Sequence, residues 1–497
     1  MKGKLINFIL IILIIILIII FTVGCDSEQV FSEDPLEATP TPTPPVDRQV
    51  KLIDSGPERG GTLNLFTTPI DSLNPYVTKN RFVIHISSFI FESLFVQVEE
   101  NKVEPWIIEE WEQEDYTNWS FTLKDNIKFH HGPELTSYDV RYTIRVLESS
   151  DTTFFDTEIV ENIQELNIIT SRKFEIILKS PDEDLIDKLI FPILSQTIDS
   201  VTEASLYGTG AYCLDSIDES TIKLTVNEKW WNNELPYIND IIFRIYQDNE
   251  MIDAFQDNEI DIAFIKNVDF SKYRYRTDIY YQVYPSNEVN FLYVNPKSLF
   301  GLENRQQALF GYVINRINEM NLGQVKYYED YNKNSLTLDE FREAMVQSGL
   351  TWNKDRRIFT YGGRTLNKIV ILAPEQEMQK LHTANYLVNI LADAGIAAEI
   401  KTMNNQSVKN SIRNGAYDLS PVTEELMPWE KLADTMERMQ EELGYGRGNS
   451  YILPLYRNQQ ATLFNNKVRG EKKSIYWNPY QGYHNWYMPV FKDDRIK

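Results

Sequence analysis

Five histidines, two cysteines and 72 carboxylates are the groups through which this 497-residue chain could do chemistry. A metal site needs several of them to converge. His130 and His131 are adjacent, so on a strand their rings point to opposite faces and cannot easily share an ion. His85, His382 and His484 stand far apart along the chain. The carboxylates are too numerous for any one pair to stand out as acid and base. There is no GxSxG elbow, no HExxH helix, no GxxxxGK-Ser/Thr loop and no glycine fingerprint for a nucleotide. The expectation is a chain without catalytic residues, metal site or cofactor. Cys213 lies amid alternating residues and reads as a small buried hydrophobe rather than a reactive thiol.

Cys25 is the side chain with the clearest chemistry. Lys2 and Lys4 make a short basic start, the run from Ile6 to Phe21 is almost wholly Ile, Leu and Phe, and Thr22-Val23-Gly24 are small residues before the cysteine. That is the pattern of a signal peptide over residues 1–24. Thr22 to Cys25 resembles a bacterial lipobox, with Thr22 where that motif usually has Leu. On this reading Cys25 is diacylated and becomes the new N-terminus. The alternative is an uncleaved anchor, although the apolar run falls short of the ~20 residues that span a bilayer core. Both readings put the rest of the chain outside the membrane. With Cys25 lipidated, no intrachain disulfide is expected.

The elements that must carry any site follow the tether. Residues 25–57 read as a Pro/Thr-rich tether, polar and acidic over 26–37 with an ATPTPTPP stretch at 38–45, whose prolines favour an extended spacer. The formal net charge of −23 repels nucleic acid and anionic lipid. Roughly 450 residues after the spacer are too many for one core. Strand and helix interleave without repeats. Leu63 to Phe66 reads as a short strand, Val83 to Phe95 as an amphipathic helix, and Trp119–Leu123, Phe174–Leu178 and Thr221–Val226 as strands. Thr136 is an N-cap with Asp139 in the first turn of a helix through Leu147.

The order RGGTLNLF, DSLNPY, FESLF, VEPWIIEEWE, WSFTLKDNIKFHHGPELTSYDVRYTI, GTGAYCL, VNEKWWNNELPYINDIIFRIY and DNEIDIAF resembles the family 5 extracellular solute-binding proteins. Asn304 to Leu309 with Val313 to Arg316, Leu391 to Ile396, Asn414 to Asp418 and Ile452 to Tyr456 continue that order. This family holds the oligopeptide, dipeptide and nickel receptors of ABC importers. The resemblance implies an α/β, two-lobed clamp of the periplasmic-binding-protein type (class II), with an inserted α+β subdomain in the first lobe. Lobe I would take residues 58–80, 208–286 and 457–497, the inserted subdomain 81–207, and lobe II 287–456. The hinge would lie near Ser286-Asn287-Glu288 and Tyr456-Arg457.

It also implies a monomer, held at the extracytoplasmic face of the cell membrane by its lipid, that captures a small peptide. The peptide would pass to the permease and ATPase subunits of an ABC transporter. A peptide sensor or chaperone of the same fold and a nickel-type chelate receptor are the alternatives. Thr68, Pro69, Ile70 and Asp71 match a loop on the ligand side. Tyr212, after Gly208 and Gly210, is either a flat wall of the cleft or a core residue beside a tight turn. Trp230 and Trp231 read as packing. The chain departs from its peptide-binding relatives at Ser420–Trp429, where an aspartate can pair with a peptide's α-ammonium. Glu424 or Glu425 could supply that charge, with Trp429 nearby, or the stretch is a surface loop. Asn321 to Leu336 shortens the second lobe, and His131 stands where many relatives have Asp.

Overall fold

The computed structural model describes residues 52–54, 56–150, 154–198, 206–232, 234–266, 273, 275–319, 325–326, 335–442, 451–489 and 491–493. The leader, Cys25 and the proline spacer lie outside the described residues, as does most of 321–336. Among the described residues no helix is long and apolar enough to cross a membrane.

After strand β1 (Thr62–Thr67), helix α1 (Arg81–Ile90) begins at Asn80, whose side chain accepts from the Phe82 N–H. The apolar spacing suggests a helix running on to Phe95, but it stops at Ile90, and Phe95 opens strand β2 (Phe95–Glu99). The reason is tertiary. The 208–210 loop lies against the helix end, with Gly210 N–H donating to Ile90 O at 2.8 Å. A Cβ on Gly208 would sit 1.9 Å from Ile90 O, and one on Gly210 2.5 Å from Phe89 O, so only glycine permits the approach.

Strand β2 pairs with β3 (Lys102–Pro105) as a hairpin. Strands β4 (Ile108–Glu114), β5 (Asn118–Leu123), β6 (Ile163–Ile168) and β7 (Lys173–Leu178) form a sheet in the order β4-β5-β7-β6, with helix α2 (Ser137–Glu148) on the chain between β5 and β6. Asp139 reaches back to the Thr136 N–H and hydroxyl, each at 2.8 Å. A second four-stranded sheet joins β1 to β8 (Tyr212–Ile217), β9 (Thr221–Val226) and β10 (Asp240–Ile245) in the order β1-β10-β9-β8.

The remaining large sheet connects two bodies. It runs β11 (Ile262–Lys266), then the last long strand, Ile452–Asn465, then β12 (Ile279–Val294), followed by Leu419–Glu425, β13 (Ile369–Pro374) and Ala398–Met403. In chain order those later strands are β14 (Ala398–Met403), β15 (Leu419–Glu425) and β16 (Ile452–Asn465). At about 3.3 Å per residue, the 16-residue β12 is roughly 50 Å long. It pairs with β16 from Ile279↔Asn465 to Tyr293↔Ile452. Hydrophobic cores built from residues up to Val283 and from Ala461 onward gather at one end, and those built from Val289 to Tyr456 at the other. Two cores at opposite ends of one strand pair make two lobes.

The β12–β16 register breaks between Pro285 and Val289. Proline offers no N–H to the ladder, and Ser286 and Asn287 are buried there. Arg457 fills the gap. Its Nε and Nη2 donate to Ser286 O at 2.8 and 2.5 Å, and its Nη1 pairs with Glu100 in the β2–β3 turn. Burial lowers this guanidinium to about 10.

Candidate functional site

A cavity of about 340 Å³ lies in the first lobe. Its walls are the α1 face carrying Ile84, His85 and Ser88, the β2–β3 hairpin, and the C-terminal segment Trp477–His484, with Pro428 reaching in from the second lobe. Phe91, Phe95, Trp106, Phe155 and Tyr483 make much of the lining aromatic. That volume and lining are those of a small-ligand pocket.

One wall is set by Glu92, 5% exposed, two residues past the end of α1. Trp106 and Trp230 donate their indole N–H to Glu92 Oε1 at 2.9 and 3.1 Å, and Trp231 donates to Oε2 at 2.7 Å. Burial pushes the carboxyl above its usual range, and the hydrogen bonds oppose that shift. His484 lies against Trp106 and Trp230, with its imidazole held down to about 4 by burial and by Lys472. Lys124 lies over the Trp231 ring at 5.2 Å and donates to Trp106 O at 2.5 Å. The tryptophans expected as packing thus also hold an acid in place.

A second node stands at the junction of the lobes. Arg81, the first residue of α1, pairs with Glu425 of β15 at 2.9 Å and covers Tyr476 and Trp477 at 4.6 and 5.3 Å from their ring centres. Asn287 donates to the same Glu425 oxygen at 3.3 Å. Lys431 reaches from the second lobe to Asp184 at 2.7 Å and Glu183 at 3.7 Å.

The residues singled out from sequence fall into three groups. Thr68 and Pro69 are tied to Asn80, whose Nδ2 donates to Thr68 Oγ1 at 2.8 Å and Pro69 O at 3.0 Å, so they reach Glu425 through Asn80 and Arg81. Ile70 packs on the first core. Asp71 accepts from Thr78 Oγ1 and Lys79 N–H; burial opposes ionisation, yet these bonds prevail and lower its pKa. None of these four lines the cavity. Tyr212 is 0% exposed and donates to Ile238 O at 2.8 Å, which places it in the core. Glu424 and Glu425 lie on strand β15, paired with β12, rather than in a loop. Burial raises Glu424 despite Arg438, and Glu425 is occupied by Arg81. Trp429 is half-buried in the turn after β15, where Pro428 rather than Trp429 meets the cavity.

His130 and His131 diverge: the first bonds Gly210 O at 2.9 Å, the second Thr197 Oγ1 at 2.9 Å. Among the described residues no three His, Cys, Asp or Glu side chains converge to hold a metal ion. Burial raises the Cys213 thiol to about 11, which leaves it protonated. His85, Glu92, Gln97 and Gln481 escaped sequence reasoning. The one available signal was the density of rings in YWNPYQGYHNWY over 476–487.

The sequence pattern of bacterial extracellular solute-binding proteins, family 5 Middle, matches residues 102–423. The periplasmic oligopeptide-binding protein OppA of Salmonella typhimurium is 23% identical over 223 residues, 39% of this chain and 41% of that one. The nickel-binding periplasmic protein of Escherichia coli is 25% identical over 208 residues, 39% of each chain. The matched stretch thus spans less than half of either relative. HbpA2 from Haemophilus parasuis superposes with a TM-score of 0.70 at 15% identity, covering 86% of this chain and 100% of that one, a likeness of fold.

Proposed function

The chain belongs to the bacterial extracellular solute-binding proteins of family 5, and on that premise we propose that it captures a small peptide in its clamp and delivers it to the permease of an ABC importer. The observation that carries the peptide reading is the cavity: aromatic walls that accept varied side chains, together with buried side-chain amides able to pair with a main chain. The name of the oligopeptide-binding relative agrees with that chemistry. Closure about the 285–289 break would enclose the ligand, and the closed form is the one a permease would read. Binding without turnover is the expected activity, so a captured ligand leaves unchanged.

Tethering through a lipid on Cys25 completes the proposal. A donor to a membrane permease works best held near the bilayer, and the 38–45 spacer leaves the clamp free to turn. Thermal shift of the full chain in detergent against pools of di- to pentapeptides tests the ligand. A peptide at about 100 times its dissociation constant adds roughly 2.7 kcal/mol, and no shift with any pool would overturn the peptide reading. Cys25→Ser tests the anchor: its membrane fraction should fall and the lipid mass disappear.

A further inference from the structure

Three residues lining the cavity bury polar atoms that have no hydrogen-bond partner in the protein among the described residues. They are Nδ1 and Nε2 of His85, Oε1 of Gln97 and Oε1 of Gln481. His85 and Gln97 are each only 8% exposed. The Gln481 amide is oriented by its other end, because Nε2 donates to Val98 O at 3.0 Å and leaves the oxygen as acceptor. Burial, with Arg81 adding to it, holds the His85 imidazole down to about 3, so the ring stays neutral and offers one acceptor and one donor. The two unpaired glutamine oxygens and the acceptor nitrogen of His85 therefore ask for N–H groups.

The carboxylates near the cavity are committed elsewhere. Glu92 carries three indole donors. Glu104, at the exposed rim, pairs with Lys102 at 3.0 Å. Beyond the lining, Glu425 is held by Arg81 and Asn287, and Asp71 by its own loop. An ammonium entering this cavity would lose its hydration and meet Lys124 and Lys472 in the same lining, beside acids that already have partners, which is unfavourable. An amide N–H would find acceptors already dehydrated and in place.

Resting on the peptide reading, we infer that Gln97, Gln481 and His85 take up amide N–H groups of the ligand and that the site does not read a free α-ammonium. Peptides capped at the amino end are then ligands of the same standing as free ones.

The experiment uses the full chain and two libraries of di- to pentapeptides with identical sequences, one with free amino ends and one N-acetylated. The acetylated members should bind within about threefold of their free counterparts. Gln97→Leu and Gln481→Leu should each weaken both libraries by about tenfold, the worth of one neutral hydrogen bond at the upper end. Gln97→Leu should leave the unliganded melting temperature unchanged or raise it, since an apolar group replaces an unpaired acceptor, whereas Gln481→Leu also gives up its bond to Val98 O and should melt slightly lower. Loss of the cooperative melting transition would mark a simple loss of fold. If acetylation weakens binding a hundredfold or more, the ammonium is read and the inference falls while the peptide reading stands. If free and capped peptides bind equally but both variants bind as the parent does, the three residues are not the acceptors and the inference also falls. If neither library binds, the peptide reading fails and takes the inference with it.

Discussion

The two lobes solve the burial problem with different side chains. The larger core of the first lobe is rich in rings, among them Phe89, Phe95, Trp119, Phe121, Phe174, Tyr212, Trp230, Phe243, Tyr480 and Trp486. The corresponding core of the second lobe is mostly aliphatic, with Leu292, Leu309, Val313, Ile369, Ile371, Leu387 and Leu391. Aliphatic chains interdigitate and leave few gaps, whereas flat rings carrying N–H and O–H groups need polar partners when buried. The first lobe therefore buries Glu92 and His85, half-buries His130 and His484, and forms most of the cavity wall. The second supplies that cavity with Pro428 and joins the rim through Glu425 and Lys431. Its own hollow of about 410 Å³ is cationic instead, lined by Arg316, Arg342, Lys354 and Arg357 beside Asp393. On the proposed reading, the difference gives ligand chemistry to the aromatic lobe and closure to the aliphatic one.

The sharpest way to break that contrast is to remove its buried acid. Glu92→Ala would orphan three indole donors and should destabilise the first lobe by on the order of 3–5 kcal/mol. Denaturant unfolding followed by tryptophan fluorescence measures it, and a loss below about 1 kcal/mol would mean that the indoles find other partners.

Acid should separate the lobes next. His85 falls to about 3, and His130 and His484 to about 4, each chiefly by burial. A histidine depressed in the folded state contributes its stability fully above the unfolded value near 6.5 and loses it as pH falls toward the folded value. Between pH 6.5 and 5 each should forfeit roughly 1–2 kcal/mol. All three belong to the first lobe, while the second carries only the exposed His382. Melting curves at pH 5 should show the first lobe failing first, and a single unchanged transition would contradict the assignment.

The smallest effect concerns closure. Arg81–Glu425 and Lys431–Asp184 join the lobes, but their side chains are a quarter to a half exposed. Pairs of this kind contribute about 0.2–1 kcal/mol and weaken with salt. Glu425→Gln should therefore move the population of closed clamp only modestly, as read by fluorescence transfer between labels on the two lobes. A large shift would make the pair a latch rather than a guide.

Much of the scaffold was legible along the chain. Alternation located the strands at Trp119–Leu123, Phe174–Leu178 and Thr221–Val226, and Thr136 with Asp139 marked a helix start that the structure keeps. These signals are local, with a period or a cap written in neighbouring residues. The end of α1 was not legible, because a glycine loop some 120 residues away stops it. The cavity was hidden for the same reason: its walls come from residues 84–106, 124, 154–192, 428 and 472–484, and no sequence window contains them together.

What the sequence determined by itself is therefore what adjacent residues can state: the family order of motifs, an acidic surface, the tether pattern, the type of most elements. Which polar side chains remain unpaired was decided only by the fold. Glu425 looks available in sequence and is taken by Arg81, 344 positions away, whereas Gln481 looks unremarkable and is left with an unpaired acceptor on a residue that lines the cavity. Partnering is a property of three-dimensional neighbours, and a buried group's partners settle its charge, its orientation and what it can offer a ligand.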